Sequence, residues 1–136
     1  MNPPFLLDTN TCIEYLRKRN ATVIANIRSR PPSELRLCSM VVAELYFGAY
    51  KQRHNPTNFT LLATFLPLFA SLPFDDPAAE VYGQIRADLE AKGTPIGPND
   101  TIIAAIALAN DLTLVTHNTA EFSRVVGLKL VDWQIP

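Results

Sequence analysis

The chain is predicted to be an α/β protein, a three-layer α/β/α sandwich around a mostly parallel sheet. Two observations lead there. Apolar runs of strand length, such as Phe5-Leu6-Leu7 and Leu128 to Val131, alternate with longer stretches of helical periodicity. Strands separated by helices call for crossover connections, which make the sheet parallel and cover both of its faces. At 136 residues the chain is read as one domain, 1–136, long enough to bury a sizeable core.

Residues 4–8 read as a short buried strand. A helix follows from Thr9 to Lys18, with Thr11 and Glu14 at capping-box spacing. A second covers residues 21–29 and stops at Arg30-Pro31-Pro32, because a residue before proline is pushed out of the helical region. Leu35 to Cys38 form the next strand, and Ser39 is placed to cap a helix running to about Arg53, broken by His54-Asn55-Pro56. Asn58 to Phe69 carry a further helical pattern in which Pro67 marks an end or a kink. A short strand is expected at Ser71 to Phe74. Asp76-Pro77 reads as an N-cap with proline at the first helical position, opening a helix that stops at Gly93. Gly97-Pro98-Asn99 introduces a helix beginning around Asp100, with Asn99 able to cap it. A strand at Thr113 to Thr116, a helical turn at Ala120 to Ser123 and a strand at Leu128 to Val131 complete the order.

Composition narrows the function. Hydrophobic residues make up 48% of the chain, which excludes a disordered protein. No apolar run approaches a membrane span, and Met1-Asn2-Pro3-Pro4 lacks the basic region of a signal peptide, so a cytoplasmic protein is expected. Cys12 and Cys38 each lie in an apolar pattern without paired spacing and read as reduced core residues. Net charge is −1, but residues 1–56 carry a balance of +4 and the remainder −5. The basic half suits a phosphate-attracting rim, with Arg17, Lys18 and Arg19 or Arg28 and Arg30 as the cations; ordinary solvated helix faces account for it equally.

Three acids sit where a water-soluble fold has little structural use for them. Asp8 ends an apolar strand, Glu44 lies inside Met40 to Phe47, and Asp100 opens the apolar stretch from Thr101 to Ala109. Carboxylates held against apolar surroundings carry a desolvation cost unless a cation meets them, and no Lys or Arg adjoins any of the three. A hard divalent cation with oxygen ligands would satisfy all three. For Asp8, a helix cap and a ligand are equally good readings. Glu44 has only Met40, Val41, Phe47 and Gly48 as helical neighbours, so a solvated face does not explain it. Asp100 gains from the helix macrodipole, yet the helix it opens is apolar all around and Asn99 is available as a cap. Asn118 either completes an oxygen-rich site or starts a turn, and Glu121 either reaches into that site or is a surface charge. His54 and His117 read as surface residues. Asp8 and Thr116-His117-Asn118 share the edge beyond the strand C-termini, where ligands collect in such sheets.

Four segments in order, Leu6-Leu7-Asp8-Thr9-Asn10, Val42-Ala43-Glu44-Leu45, Ile96-Gly97-Pro98-Asn99-Asp100-Thr101 through Ala105, and Leu114 to Phe122, give the chain its resemblance to PIN-domain ribonucleases. More narrowly it resembles the VapC toxins of type II toxin–antitoxin pairs, from about residue 4 to 133. Gly83 to Leu89 and Gly127 to Trp133 are similar to the subgroup that cuts initiator tRNA in the anticodon region. The resemblance implies a Mg²⁺-dependent endoribonuclease (Mn²⁺ substituting) in which Asp8, Glu44 and Asp100 are metal-site acids, Asp8 and Asp100 the principal ligands. Thr9, Asn10 and Thr116 match supporting hydroxyl and amide positions. Many members carry a fourth acid where Asn118 stands, which leaves a second metal open. The implied chemistry is in-line attack of an activated water on a phosphodiester, leaving 5′-phosphate and 3′-hydroxyl ends.

The resemblance also implies a cognate antitoxin and a homodimer. The apolar groups Val42-Leu45-Tyr46-Tyr50 and Phe59-Leu62-Phe65-Leu66 are candidates for receiving an antitoxin helix, or for packing internally or between two copies. Rival readings are a haloacid-dehalogenase-like phosphatase, which wants an acid where Asn10 stands; a receiver-type domain, for which no lysine fits; a Rossmann cofactor binder, whose glycine motif is missing; and an inactive PIN-like RNA-binding module.

Overall fold

A computed structural model describes residues 4–136. Five strands, β1 (Phe5–Leu7), β2 (Leu35–Cys38), β3 (Ala70–Leu72), β4 (Thr113–Val115) and β5 (Lys129–Val131), form one sheet in the order β3-β2-β1-β4-β5. Every neighbouring pair is parallel. The expected "mostly parallel" sheet is therefore wholly parallel among the described residues. Its centre reads as it packs, since Leu6, Leu7, Leu37, Leu114 and Val115 are all completely buried.

The helices are α1 (Thr9–Leu16), α2 (Ala21–Arg28), α3 (Ser39–Lys51), α4 (Thr57–Phe65), α5 (Asp76–Ala91), α6 (Pro98–Ala109) and the single turn α7 (Thr119–Phe122). α1 packs on α2 and α3, α3 on α4, and α5 on α6. Right-handed crossovers place the helices between β1, β2 and β3 on one face and those of the β3–β4 return on the other. α6 is the most enclosed helix, with Ile103 through Ala107 all buried.

Several boundaries differ from the sequence expectation, at α1 and α5 because a different carboxylate caps the helix. Asp8, not Thr11 with Glu14, caps α1: its carboxylate accepts from the Thr11 backbone N–H at 2.8 Å. Glu14 instead approaches Arg19, at 3.9 Å. Asp75 rather than Asp76 caps α5 by accepting from the Ala78 N–H at 3.1 Å, so Pro77 sits one place further into the first turn. Cys38 occupies the cap position of α3, and the Ser39 hydroxyl bonds instead to the Leu72 carbonyl at 3.4 Å. Gly97 holds the cap position of α6, which puts Asn99 inside the helix. The pattern ending at Phe69 is split by Pro67 into α4 and a 3-10 turn, Leu66–Leu68, and β3 begins one residue before the expected strand. A second 3-10 turn, Pro32–Glu34, leads into β2.

Both cysteines are free and buried, and burial pushes both thiols up, as expected of inert core residues. Of the two apolar groups on α3 and α4, Leu45, Leu62 and Phe65 belong to the core. Tyr46, Phe47 and Tyr50 remain exposed on α3. The C-terminal segment is held by Trp133, 4% exposed, whose ring lies 5.0 Å from that of Phe5. The Arg30 guanidinium stands over both rings, 5.0 Å from Phe5 and 4.6 Å from Trp133. Arg30 thus contributes to the packing of this segment. No helix among the described residues is long and apolar enough to cross a membrane.

Candidate active site

β1 and β4 are neighbours at the point where the order of connection reverses, β2 and β3 lying on one side of β1 and β4 and β5 on the other. The C-terminal ends of β1 and β4 therefore lie at the position where doubly wound sheets bind ligands. Asp8 follows β1 directly, and its backbone N–H bonds to the Val115 carbonyl at 3.1 Å, tying it to the end of β4. Its side chain is 5% exposed. Burial raises its pKa above the usual carboxylate value, against the opposing hydrogen bonds of Thr11 and Thr116, and the charge of Glu44 raises it further. The two sequence readings of Asp8 are therefore compatible. One oxygen is engaged as the cap of α1, and the burden of burying the charge remains.

Glu44 comes from the second turn of α3 and is half-buried. Thr9 donates its hydroxyl to Glu44 Oε1 at 2.5 Å, and Asn99 Nδ2 donates to Glu44 Oε2 at 3.5 Å. These contacts join three separate crossovers around one carboxylate. Asp100 lies in the first turn of α6, half-buried, and its pKa is raised to about 6. Burial is the main cause, followed by the charges of Glu121, Glu44 and Asp8.

Glu121 faces this cluster rather than open solvent. Its Oε1 accepts from the Gly97 N–H at 3.1 Å, and its Oε2 accepts from Asn118 Nδ2 at 2.7 Å. Glu121 thus fastens the loop leading into α6 to the turn after β4. Asn118 occupies the cap position of α7 and contributes its amide to Glu121, while its backbone N–H donates to Thr116 Oγ1 at 3.0 Å. Thr116 is fully buried between Asp8 and this turn.

Other residues are placed elsewhere. Asn10 is exposed on the first turn of α1. Arg17 caps the opposite end of α1, about 13.5 Å along the helix axis from Asp8, with Lys18 and Arg19 beyond it. His117 is exposed, as expected, but is not idle: its Nδ1 lies 2.8 Å from Asp132 Oδ2. Among the described residues the ion pairs involve Glu14, Glu90, Asp88, Asp132 and Asp111, and none reaches Asp8, Glu44, Asp100 or Glu121.

Four carboxylates influence one another here without a cationic side chain, and the groups that bond to them are hydroxyls, amides and backbone N–H groups. Such a set fits a hard divalent cation, which would replace the missing positive charge. No three of the described Asp, Glu, His or Cys side chains stand close enough to form a ready-made cage.

A PIN-domain family model matches residues 5–128. The tRNA(fMet)-specific endonuclease VapC of Salmonella typhimurium is 38% identical over 132 residues, covering 95% of this chain and 97% of that one. The chain belongs to the PIN-domain family, among its VapC proteins. Ribonuclease VapC2 of Rickettsia felis is 35% identical over 130 residues, again covering 95% of this chain and 97% of its own. Two crystal structures agree in fold: DNA-bound VapBC from S. typhimurium, with a TM-score of 0.89, 36% identity and coverage of 98% and 99%, and VapBC2 from R. felis bound to a promoter DNA fragment, with 0.88, 34%, 95% and 98%. The α/β/α architecture read from the sequence is the PIN fold.

Within this PIN domain the structure adds two residues that sequence reasoning did not single out as contacts of the site. Thr11 holds Asp8 through its backbone N–H, a position signalled by the three-residue spacing of a cap. Asn99 reaches Glu44, 55 residues away, and no local pattern marks such a contact.

Proposed function

We propose that this VapC-family protein is a metal-dependent endoribonuclease toxin that cleaves tRNA, with initiator tRNA the favoured substrate. The observation that supports it most is Asp8. It is a carboxylate 5% exposed, without a basic partner among the described residues, at the switch point of a parallel sheet. Asp100, Glu44 and Glu121 surround the same opening.

In this reading Asp8 and Asp100 would hold Mg²⁺ or Mn²⁺, with Glu44 beside them kept in place by Thr9 and Asn99. A divalent ion supplies two things there, a lowered pKa for a water and positive charge against the phosphodiester. Thr116 and the Thr11 N–H hold Asp8 in one orientation. Glu121, fixed by Gly97 and Asn118, adds negative charge that draws a cation toward Asp100. Asn118 therefore acts as a positioning group for Glu121. Single-stranded loops of RNA, whose bases are splayed from the stack, are the substrates such an open crevice accepts.

Two partners follow. A cognate antitoxin covers apolar surface including the exposed Tyr46, Phe47 and Tyr50 of α3, and a basic side chain from it enters the acid cluster by direct charge pairing. A homodimer is the assembly state we assign to the nuclease. The deciding experiment incubates purified protein with initiator and elongator tRNAs. Cleavage in Mg²⁺ or Mn²⁺ that stops in excess EDTA and leaves 5′-phosphate ends is expected; binding without cleavage would mark an inactive RNA-binding module. In cells, expression alone should arrest growth and the neighbouring small gene should restore it.

A further inference from the structure

A second feature, between α5 and α6, carries chemistry that the candidate active site does not use. The cleft there has a volume of about 270 Å³, and its walls include Tyr82, Arg86, Glu90, Ile96, Pro98 and Thr101. Tyr82, Arg86 and Glu90 follow one another at four-residue spacing, so they form one stripe along α5. Arg86 Nε donates to Glu90 Oε1 at 3.1 Å, and Arg86 Nη1 donates to Tyr82 Oη at 3.2 Å. These bonds hold the guanidinium between a phenol and a carboxylate. Phe74, itself exposed, packs edge-on against Tyr82 with ring centroids 5.9 Å apart. Ile96 and Pro98 supply an apolar opposite wall, and the Thr101 hydroxyl there is already satisfied by the Gly97 carbonyl at 2.9 Å.

An exposed ion pair four residues apart does little for stability, so helix stability is a weak reason for this arrangement. Its chemistry selects a ligand. Glu90 offsets the charge of Arg86, which disfavours a phosphate. An aromatic ring, a guanidinium plane and rigid apolar groups around a small cleft suit a flat heteroaromatic ring. The remaining guanidinium N–H groups and the second Glu90 oxygen place donors beside an acceptor, matching a base edge that offers the reverse pair. Pro98 and Thr101, which line the cleft, flank Asp100 within the first turn of α6, so the cleft adjoins the acid cluster across that turn.

We infer that the α5–α6 cleft is a base-binding subsite, taking an unpaired RNA nucleobase next to the scissile phosphate; the inference rests on the ribonuclease reading above. The test is steady-state cleavage, in Mg²⁺, of single-stranded RNA carrying one abasic site at successive positions around the cut. With wild-type protein, one abasic position is expected to raise KM about tenfold, the loss of one stacked base, with kcat little changed. Tyr82→Leu and Arg86→Gln should raise KM on intact RNA, and Tyr82→Leu combined with that abasic position should be no worse than either alone. Tyr82→Phe, which keeps the ring, should recover most of the loss, and melting curves confirm that each variant is folded. Unchanged KM in the variants, or strictly additive effects, would overturn the subsite while leaving the nuclease intact. A KM rise that tracks dissociation of a dimer in sedimentation would assign the cleft to contact between copies instead. A wild-type protein that cleaves no RNA would overturn the ribonuclease reading and the subsite with it.

Discussion

Thr9 and Glu44, 35 residues apart in sequence, are joined by a hydroxyl-to-carboxylate hydrogen bond at the mouth of the switch-point crevice. Thr9 opens α1 immediately after Asp8, so the bond ties the position of one candidate metal acid to that of another. Thr9→Val removes the donor while keeping the shape. The Mg²⁺ concentration for half-maximal cleavage should rise about tenfold, the usual cost of losing a group that orients a metal ligand. Thr9→Ser should restore most of it. A Mg²⁺ titration of cleavage rate that is the same for Val and Thr would show that the bond has no bearing on the metal.

Asp100→Asn should cost at least about a hundredfold in cleavage rate and leave the metal-free fold as stable or more so, because a buried repulsive charge is removed. The sign follows from its raised pKa. The folded chain holds the Asp100 proton up to about pH 6, whereas the unfolded chain releases it near the ordinary value of 3.8. The proton is thus bound more tightly in the fold, and metal-free stability falls as pH rises through that window, by about 1–2 kcal/mol after solvent screening. The Asn variant should show a flatter curve, with the raised pKa of Asp8 leaving a residual slope of the same sign. Denaturant midpoints measured from pH 4 to about 7 check this. A large loss of stability in Asp100→Asn would identify Asp100 as a structural residue.

Metal should act on the fold as well as on the reaction. Mg²⁺ or Mn²⁺ at about a hundred times its dissociation constant should stabilise the protein by about 2.7 kcal/mol, seen as a higher melting temperature. The increase should vanish when Asp8 and Asp100 are both changed to Asn. An equal rise in that double variant would place the ion elsewhere.

Trp133→Ala should destabilise the protein by about 3–5 kcal/mol, since it empties a buried aromatic site and strips one face from Arg30. Arg30→Gln, which removes the charge, should cost less, and should leave the salt dependence of RNA binding unchanged if Arg30 is spent on packing. A clear fall in the salt slope would return Arg30 to the nucleic-acid surface.

The element order was legible because each strand is a short apolar run and each helix has local punctuation; Pro31, Pro67 and Gly93 act within a few residues of where they stand. Caps were less so. Asp75 and Asp76 are chemically equivalent in sequence, and only the direction of the chain entering α5 selects the first. In the site, Asp8, Glu44 and Asp100 stood out because a charge in an apolar run violates a local rule. Glu121 broke no such rule, and its role depends on Gly97 being 24 residues away yet in hydrogen-bonding contact. Charge counting along the chain likewise does not say at which end of a helix the charges fall, and Arg17 proves to cap the end of α1 opposite Asp8.

The crevice is assembled from widely separated parts of the chain. Asp8 directly follows β1, whereas Asp100 lies on α6 and Thr116, Asn118 and Glu121 follow β4, roughly a hundred residues further along the chain. β4 must insert beside β1 before any of these groups meet. A nascent chain that has not yet extended through β4 and α7 therefore has no assembled acid cluster.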